Sequence, residues 1–344
     1  MRDRLHIGVI GVGRIGAFHA RTLLALDGVG SVAVADADPA RAERVVADLG
    51  ESSRAVESPD ALFDAGTDAV VIATSTPAHA PMLRRAAAAG VPAFCEKPVA
   101  LDLDVLDDVL DHVTSAGILV QVGFQRRFDA GYRAAREAVA TGALGTLLVV
   151  RAATHDPAPP TEAYVAASGG IFRDLHIHDF DAVRYVTGQE IVEVYADGAV
   201  RETPWFESHQ DVDAAVAVLR LSGGALGILS GTRHDPLGYD VRLEVFGGSD
   251  SIAVGYDARS PIRSVEPGAP QPGAGYRDFL ERFELAYRAE LAAFVEAVKA
   301  RAESACTLTE ARAALACALA ADRSRAERRP VSIEEVASAR AVTG

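Results

Sequence analysis

The stretch "LHIGVIGVGRIGAFHA" constrains this chain more than any other. A short apolar run, Leu5–Ile10, passes straight into Gly11, Gly13 and Gly16 in the pattern G-x-G-x-x-G, and helical spacing follows over Ile15–Leu26. Such glycines alone are weak evidence, but between a strand and a helix they become specific. Gly11 allows a tight turn, Gly13 lets backbone approach a pyrophosphate, and Gly16 lets helix and strand pack closely. The unpaired N–H groups of the helix start then face the phosphates. Arg14 and Ile15, inside the fingerprint, join the same candidate contact set. Asp36 closes the next apolar run, "SVAVAD", about twenty residues further on. An acid there accepts hydrogen bonds from ribose 2′- and 3′-hydroxyls and repels a 2′-phosphate, which favours NAD over NADP. Arg41 and Arg44 lie near enough to keep NADP open. The rival reading makes the glycines turn residues and Asp36 a loop cap. The order strand, glycines, helix, strand, acid favours dinucleotide binding.

The surrounding pattern agrees. Apolar runs at Ser31–Ala35, Ala69–Ala73, Val91–Cys95 and Ile118–Val122 alternate with helical spacing at Pro39–Leu49, Pro81–Ala89 and Val105–Val113. "SPDALF" adds a helix start, with Ser58 as cap and Pro59 in the first turn. Strands alternating with helices imply βαβ units and a parallel sheet covered on both faces. After about Gly123 the pattern changes. A helix is expected at Ala130–Ala140, a strand at Leu144–Ala153, and a helix over "GGIFRDLHIHDFDAVRYVTG". Strand-like runs follow at Ile191–Val200, Ala214–Leu221, Ala225–Gly231, Val241–Phe246 and Ser251–Val254, with helices at Phe279–Arg301 and Leu308–Glu327. The expectation is α/β plus α+β. A Rossmann domain over residues 1–123 precedes a domain over 124–344 built on a mostly antiparallel open sheet, and the last helices are free to pack back on the first domain. "EPGAPQPGAG" is the best candidate for a mobile loop.

Composition excludes more than it selects. The net charge of −14, with no basic stretch against it, disfavours nucleic acid and anionic membranes. No run approaches the ~20 apolar residues of a membrane span. The start of the chain lacks the features of a secretory signal. Cys95, Cys306 and Cys317 are few and widely spaced, which argues against disulfides and structural zinc and fits a reducing cytoplasm.

Two further segments carry candidate chemistry. "ATSTPAHA" follows a strand, so Thr74, Ser75 and Thr76 stand where open α/β sheets bind ligands. His79 is either a cofactor contact or a helix-start surface residue. "FCEKPVA" puts Glu96 and Lys97 at another strand end, before Pro98, which raises the chance of a cis bond. The rival there is a solvated ion pair in a turn. In the second domain, Asp174 and His178 are spaced i, i+4 and share a face of an ideal helix. His176 points about 160° away from His178 and is read as structural or exposed. Asp179 is read as polar face or paired, and Asp181 as salt-bridged, solvated or a substrate contact. Oxidation of a secondary alcohol needs a hydride acceptor, a base and a group that favours negative charge on oxygen. His178 suits the base, Lys97 the electrostatic stabiliser, and Asp174 an orienting role. A metal site built from Asp174, His178, Asp181 and His155 is the rival chemistry.

Taken together, the fingerprint, the Asp ending the second strand, the E-K-P segment and the G-G-x-x-x-D-x-x-x-H-D segment resemble the Gfo/Idh/MocA oxidoreductase family, most nearly its inositol 2-dehydrogenase-type members. The resemblance runs from Gly8 to the closing "ADRSRAERRPVSI". It implies Lys97, Asp174 and His178 at the catalytic centre and Glu96 near the nicotinamide ribose. "GFQRRFD" resembles the start of the family's second domain, with Gln125 and Arg127 toward substrate. His155 and Tyr239 are implied at the pocket, and Leu237 stands where inositol-type members often carry an aromatic residue. The implied activity is NAD-dependent oxidation of a polyol or sugar hydroxyl. The family also contains dinucleotide-binding regulators. A homotetramer or dimer is implied as well, the second domain serving oligomerisation besides substrate binding.

Overall fold

A computed structural model of the chain describes residues 4–337. Two compact units emerge, one formed by the chain up to Gln125 with Leu285–Arg312, the other by Arg126–Glu284 with the residues from Ala313 onward.

In the first unit the strands are β1 (Leu5–Ile10), β2 (Val29–Ala35), β3 (Ser53–Ala55), β4 (Ala69–Ile72), β5 (Ala93–Glu96) and β6 (Val120–Gly123). The helices between them are α1 (Arg14–Leu24), α2 (Pro39–Leu49), α3 (Pro59–Asp64), α4 (Thr76–Ala89) and α5 (Leu103–Ala116). The sheet runs β3-β2-β1-β4-β5-β6 and is parallel throughout. Its order reverses between β1 and β4, and the crevice outside the carboxyl ends at such a reversal is where these sheets take ligands. Strands buried on both faces need continuous apolar runs, which "AVVI" in β4 supplies. Asp38, Ser58 and Asp102 cap their helices through side-chain oxygens. The three-residue strand β3 is too short for its sequence to announce it. Leu291, Phe294 and Val295, from the late helix α10 (Phe279–Ala300), join the core around Val9, Leu23 and Phe94. That helix carries non-helical backbone at Phe283.

The second unit holds α6 (Ala130–Ala140), β7 (Leu147–His155), α7 (Glu162–Ser168), α8 (Ile171–Asp174), α9 (Ile177–Thr187), β8 (Ile191–Ala199), β9 (Ala214–Leu221), β10 (Leu226–Thr232), β11 (Asp240–Gly247) and β12 (Ser251–Val254). After α10 come α11 (Leu308–Glu327), β13 (Val331–Ser332) and α12 (Ile333–Ala337). The seven-stranded sheet runs β12-β11-β7-β10-β9-β8-β13. It is antiparallel except where β7 pairs β10. Alternation decides its faces. Ala152, Ala217, Leu219, Leu229 and Leu243 point into the core, while Val216, Val218 and Ile228 are exposed on the other side.

The segment expected as one helix is two. The His176 amide bonds the Ile171 carbonyl, five residues back, and the His178 amide reaches only to Leu175. This wider step separates α8 from α9, so the ideal-helix argument that set Asp174 and His178 on one face does not carry across it.

Candidate functional site

In the first unit the candidate residues stand at the carboxyl ends of four adjacent parallel strands, β2, β1, β4 and β5. Gly11 has φ +85°, and a Cβ there would lie 2.8 Å from the Thr74 backbone. A Cβ on Gly16 would lie 1.9 Å from the Gly11 carbonyl oxygen, so only glycine lets α1 leave the turn so closely. Around Gly13 the space is open for at least 4 Å. Gly13 is also the N-cap of α1 and offers no side-chain cap, while Arg14 beside it is exposed and Ile15 half-buried. The helix start thus presents its N–H groups beside open space, which fits the pyrophosphate of a dinucleotide.

Asp36 does more than wait for a ribose. Its carboxylate accepts from the Val12 amide (2.8 Å), the Asp38 amide (2.9 Å) and Arg41 Nη1 (3.0 Å). That uses three of about four lone-pair positions and ties the fingerprint turn to the end of β2. The half-exposed Arg41 is the partner a ribose hydroxyl would displace most easily.

Ser75 is the N-cap of α4 without a side-chain bond, and Thr76 opens the helix. His79, one turn on, is neither a surface residue nor open toward the crevice. It is 2% exposed, and its ring nitrogens face the carbonyls of Pro98 (Nδ1, 2.8 Å) and Thr74 (Nε2, 3.0 Å). Burial lowers its pKa despite those two acceptors. Its place is that of a strut between the turns after β4 and β5. Lys97 is half-buried after β5, and the Lys97–Pro98 bond is cis. Glu96 is not a solvated turn residue, for its Oε1 accepts from Nε2 of the buried His19 at 2.6 Å.

In the second unit Asp174 is buried, with Oδ1 accepting from the Tyr164 hydroxyl (2.7 Å) and Oδ2 from Arg233 Nη2 (2.8 Å). Arg233 also reaches Asp156 (3.0 Å), so one buried guanidinium joins two carboxylates. The Asp174 charge raises the Tyr164 hydroxyl above the ordinary range, which keeps it a donor. His178 is half-buried at the start of α9. His155, ending β7, has its Nδ1 2.9 Å from the Thr232 hydroxyl, and burial lowers its pKa. Gln125 is buried in the turn Gln125–Phe128. Tyr239 is buried against Phe283, and its amide bonds the Tyr276 carbonyl.

Several readings change here. Arg127, expected toward a substrate hydroxyl, is buried and grips Asp181 through Nε (2.9 Å) and Nη2 (2.6 Å). That settles Asp181 among its options as the salt-bridged one. His176 is wholly buried, stacked on Phe172 and donating from Nδ1 to Asp179. Asp179 also accepts from Arg126 (2.5 Å) and Thr154 (2.8 Å), and its pKa is lowered, burial opposing and Arg126 prevailing. With Asp181 held by Arg127, and Asp174 by Arg233 and Tyr164, two of the rival metal ligands are occupied. Among the described residues no group of three or more His, Cys, Asp or Glu is arranged to hold a metal ion. All three cysteines are buried, and burial pushes the Cys317 thiol up to about 12, far from a nucleophile's range.

Sequence reasoning missed His19, Tyr164, Arg233 and Asp156. A signal existed for His19, which shares the buried face of α1 with Gly16, Ala20 and Leu23. A polar ring on a core face demands a partner. For the others nothing local marks the contact, since the Arg233 and Tyr164 partners lie far along the chain or across a loop.

Comparison with known proteins agrees with this geometry. Residues 5–124 match the oxidoreductase family with the NAD-binding Rossmann fold, and residues 132–253 the GFO/IDH/MocA C-terminal domain. The chain is 36% identical over 332 residues to the myo-inositol 2-dehydrogenase of Thermotoga maritima, covering 96% of this chain and 99% of that one. It is 38% identical over 335 residues to the inositol 2-dehydrogenase of Rhizobium meliloti, covering 96% and 99%. The crystal structure of a probable dehydrogenase from Thermotoga maritima superposes with a TM-score of 0.91 at 36% identity, over 96% of this chain and all of that one. The fingerprint cradle and these full-length matches make the chain a member of the Gfo/Idh/MocA family, an NAD(P)-dependent oxidoreductase acting on CH–OH groups and related to the inositol 2-dehydrogenases.

Proposed function

We propose that this protein oxidises a secondary hydroxyl of a cyclic polyol or sugar, an inositol first, to the ketone. The observation that carries the reading is full-length similarity to relatives named for inositol 2-dehydrogenation, joined to Lys97, Asp174 and His178 at the positions the family pattern requires. NAD, when bound, accepts the hydride. His178 takes the hydroxyl proton, as an imidazole suits near neutral pH. The Lys97 ammonium donates to the reacting oxygen and favours its developing charge. Asp174 is held by Arg233 and Tyr164, which supports a fixed negative group that orients rather than one that shuttles protons. Leu237 stands in place of the frequent aromatic residue, so the exact polyol is left to the assay. The second reading is another sugar derivative, oxidised or reduced.

The deciding assay follows NADH formation with a panel of inositols and sugars, using NAD and NADP in parallel. Turnover of at least one polyol, with NAD preferred, is expected. Replacing His178 with Ala should lower kcat by ~100-fold or more and leave NADH binding near normal. Unchanged turnover in that variant refutes the assignment of the base. A silent panel with intact NADH binding refutes the inositols and sugars tested as the substrate class.

We also propose a homo-oligomer, a dimer or tetramer, built on the open sheet. Tyr195, Val218 and Ile228 stand in one cross-strand row that continues into the Arg151–Glu244 ion pair. Such an apolar stripe on exposed strands suits burial against a second copy. Light scattering of the Val218→Glu variant should show smaller particles than the parent.

Among the described residues no helix is long and apolar enough to cross a membrane.

A further inference from the structure

The His19–Glu96 pair lies within the first unit, and no role assigned above involves His19. His19 is 0% exposed, on α1, the helix that the glycine turn opens. Its ring sits edge-on among Phe18, Phe94 and Tyr287. Nε2 meets Glu96 Oε1 at 2.6 Å, while Nδ1 is buried without a hydrogen-bond partner. A ring with one partnered nitrogen fits the tautomer protonated on Nε2, because a proton on Nδ1 would be an N–H with no acceptor. The ring is thus a single directed donor in an aromatic cage. The Glu96 side chain is 11% exposed, and its other oxygen, Oε2, lies over Gly123, where an added Cβ would come within 3.0 Å. A desolvated carboxylate stays in place only where donors hold it. His19 supplies that donor on one side, and the bare backbone of Gly123 supplies room on the other.

We infer that His19 is a positioning residue for cofactor binding. It fixes the Glu96 carboxylate, linking the helix at the phosphate-binding turn to the strand end that carries the E-K-P segment. The inference rests on the reading of Glu96 as a contact of the nicotinamide ribose. Two kinds of change separate the carboxylate from its donor. His19→Phe fills the aromatic cage without an N–H, and His19→Gln restores a donor. Gly123→Ala presses on Oε2 and on Phe94 Cζ, both at 3.0 Å, and keeps the His19 side chain itself.

The test is the dissociation constant of NADH, from fluorescence titration of the whole protein, with the thermal midpoint recorded for each variant. Glu96→Ala and His19→Phe are each expected to weaken NADH about tenfold, the effect of one hydrogen bond to a charged group. His19→Gln should return to within about threefold of the parent, and the His19→Phe/Glu96→Ala double variant should be no weaker than Glu96→Ala alone. KM for NAD should rise more than kcat falls. A purely structural ring would shift the thermal midpoint and leave NADH affinity alone, which overturns the inference. Additive losses in the double variant overturn it too. If Glu96→Ala binds NADH normally, the reading of Glu96 fails and takes the inference with it. If only His19→Phe is silent, the Glu96 reading stands and the inference alone falls. Should His19→Phe not fold, Gly123→Ala decides, with weakened NADH binding expected and normal binding refuting.

Discussion

Removing the Asp179 carboxylate tests a wholly buried charge in the second unit. Arg126 is 1% exposed, and Asp179 is its anionic partner at 2.5 Å, with Thr154 bridging both. In Asp179→Ala the guanidinium keeps only the neutral Thr154 hydroxyl among these partners, and His176 loses the acceptor of its Nδ1–H. Breaking a buried pair on one side costs about 3–5 kcal/mol, because the remaining charge stays desolvated. Against a stability of about 5–15 kcal/mol this is a large fraction. The assay is urea denaturation followed by tryptophan fluorescence. The chain's one tryptophan, Trp205, lies in the second unit, so the signal reports that unit. The double variant Arg126→Met/Asp179→Ala should recover part of the loss, since neither charge remains. The pH dependence has a definite sign. The folded pKa of Asp179 is lowered, so its contribution is complete above the unfolded value of 3.8 and is lost as pH falls through the folded value. The gap between parent and variant should hold from neutrality to about pH 4 and narrow only below it. A loss under about 1 kcal/mol, or a double variant worse than the single, refutes the claim that this pair is held by burial of opposite charges.

Other predictions concern the site. Gly16→Ala places a Cβ 1.9 Å from the Gly11 carbonyl oxygen, so α1 must shift. Loss of NADH binding, with a destabilisation beyond the usual ~1–3 kcal/mol of overpacking, is expected by titration and thermal melting. Asp36→Ala removes the acceptor for the Val12 amide and releases Arg41, so kcat/KM should fall with NAD and its ratio to NADP should shift toward NADP by about tenfold or more, as steady-state kinetics with both cofactors will show. Tyr164→Phe removes the hydroxyl on Asp174 from a half-exposed side chain. Stability should change by no more than about 1 kcal/mol, while kcat falls with KM for NAD unchanged.

The first unit was legible where the requirement is local. The fingerprint needs glycine for one turn and one close approach, and those demands act over a few residues. The same holds for caps such as Ser58 and for the strand-like run that announced β9, observed at Ala214–Leu221 as expected. The second unit was legible in its elements and less so in its side chains. "GFQRRFD" offers two adjacent arginines, and nothing along the chain says that Arg126 takes Asp179 while Arg127 takes Asp181. Both partners lie more than fifty residues away, on a helix whose start is displaced by the wide step at His176.

By itself, then, the sequence determined the class of this protein: a parallel dinucleotide-binding sheet, a second, mostly antiparallel sheet, and the E-K-P and Asp-to-His segments of its family. Those features are written in short-range spacing, because backbone geometry and helix or strand period act locally. The tertiary structure alone decided which charges neutralise each other. It turned Arg127 onto Asp181, clamped Asp174 between Tyr164 and Arg233, made His79 a strut, and set His19 against Glu96. The reason is physical. A buried charge or ring nitrogen is satisfied by whatever partner the folded chain brings within about 3 Å, and that distance is unrelated to separation along the sequence.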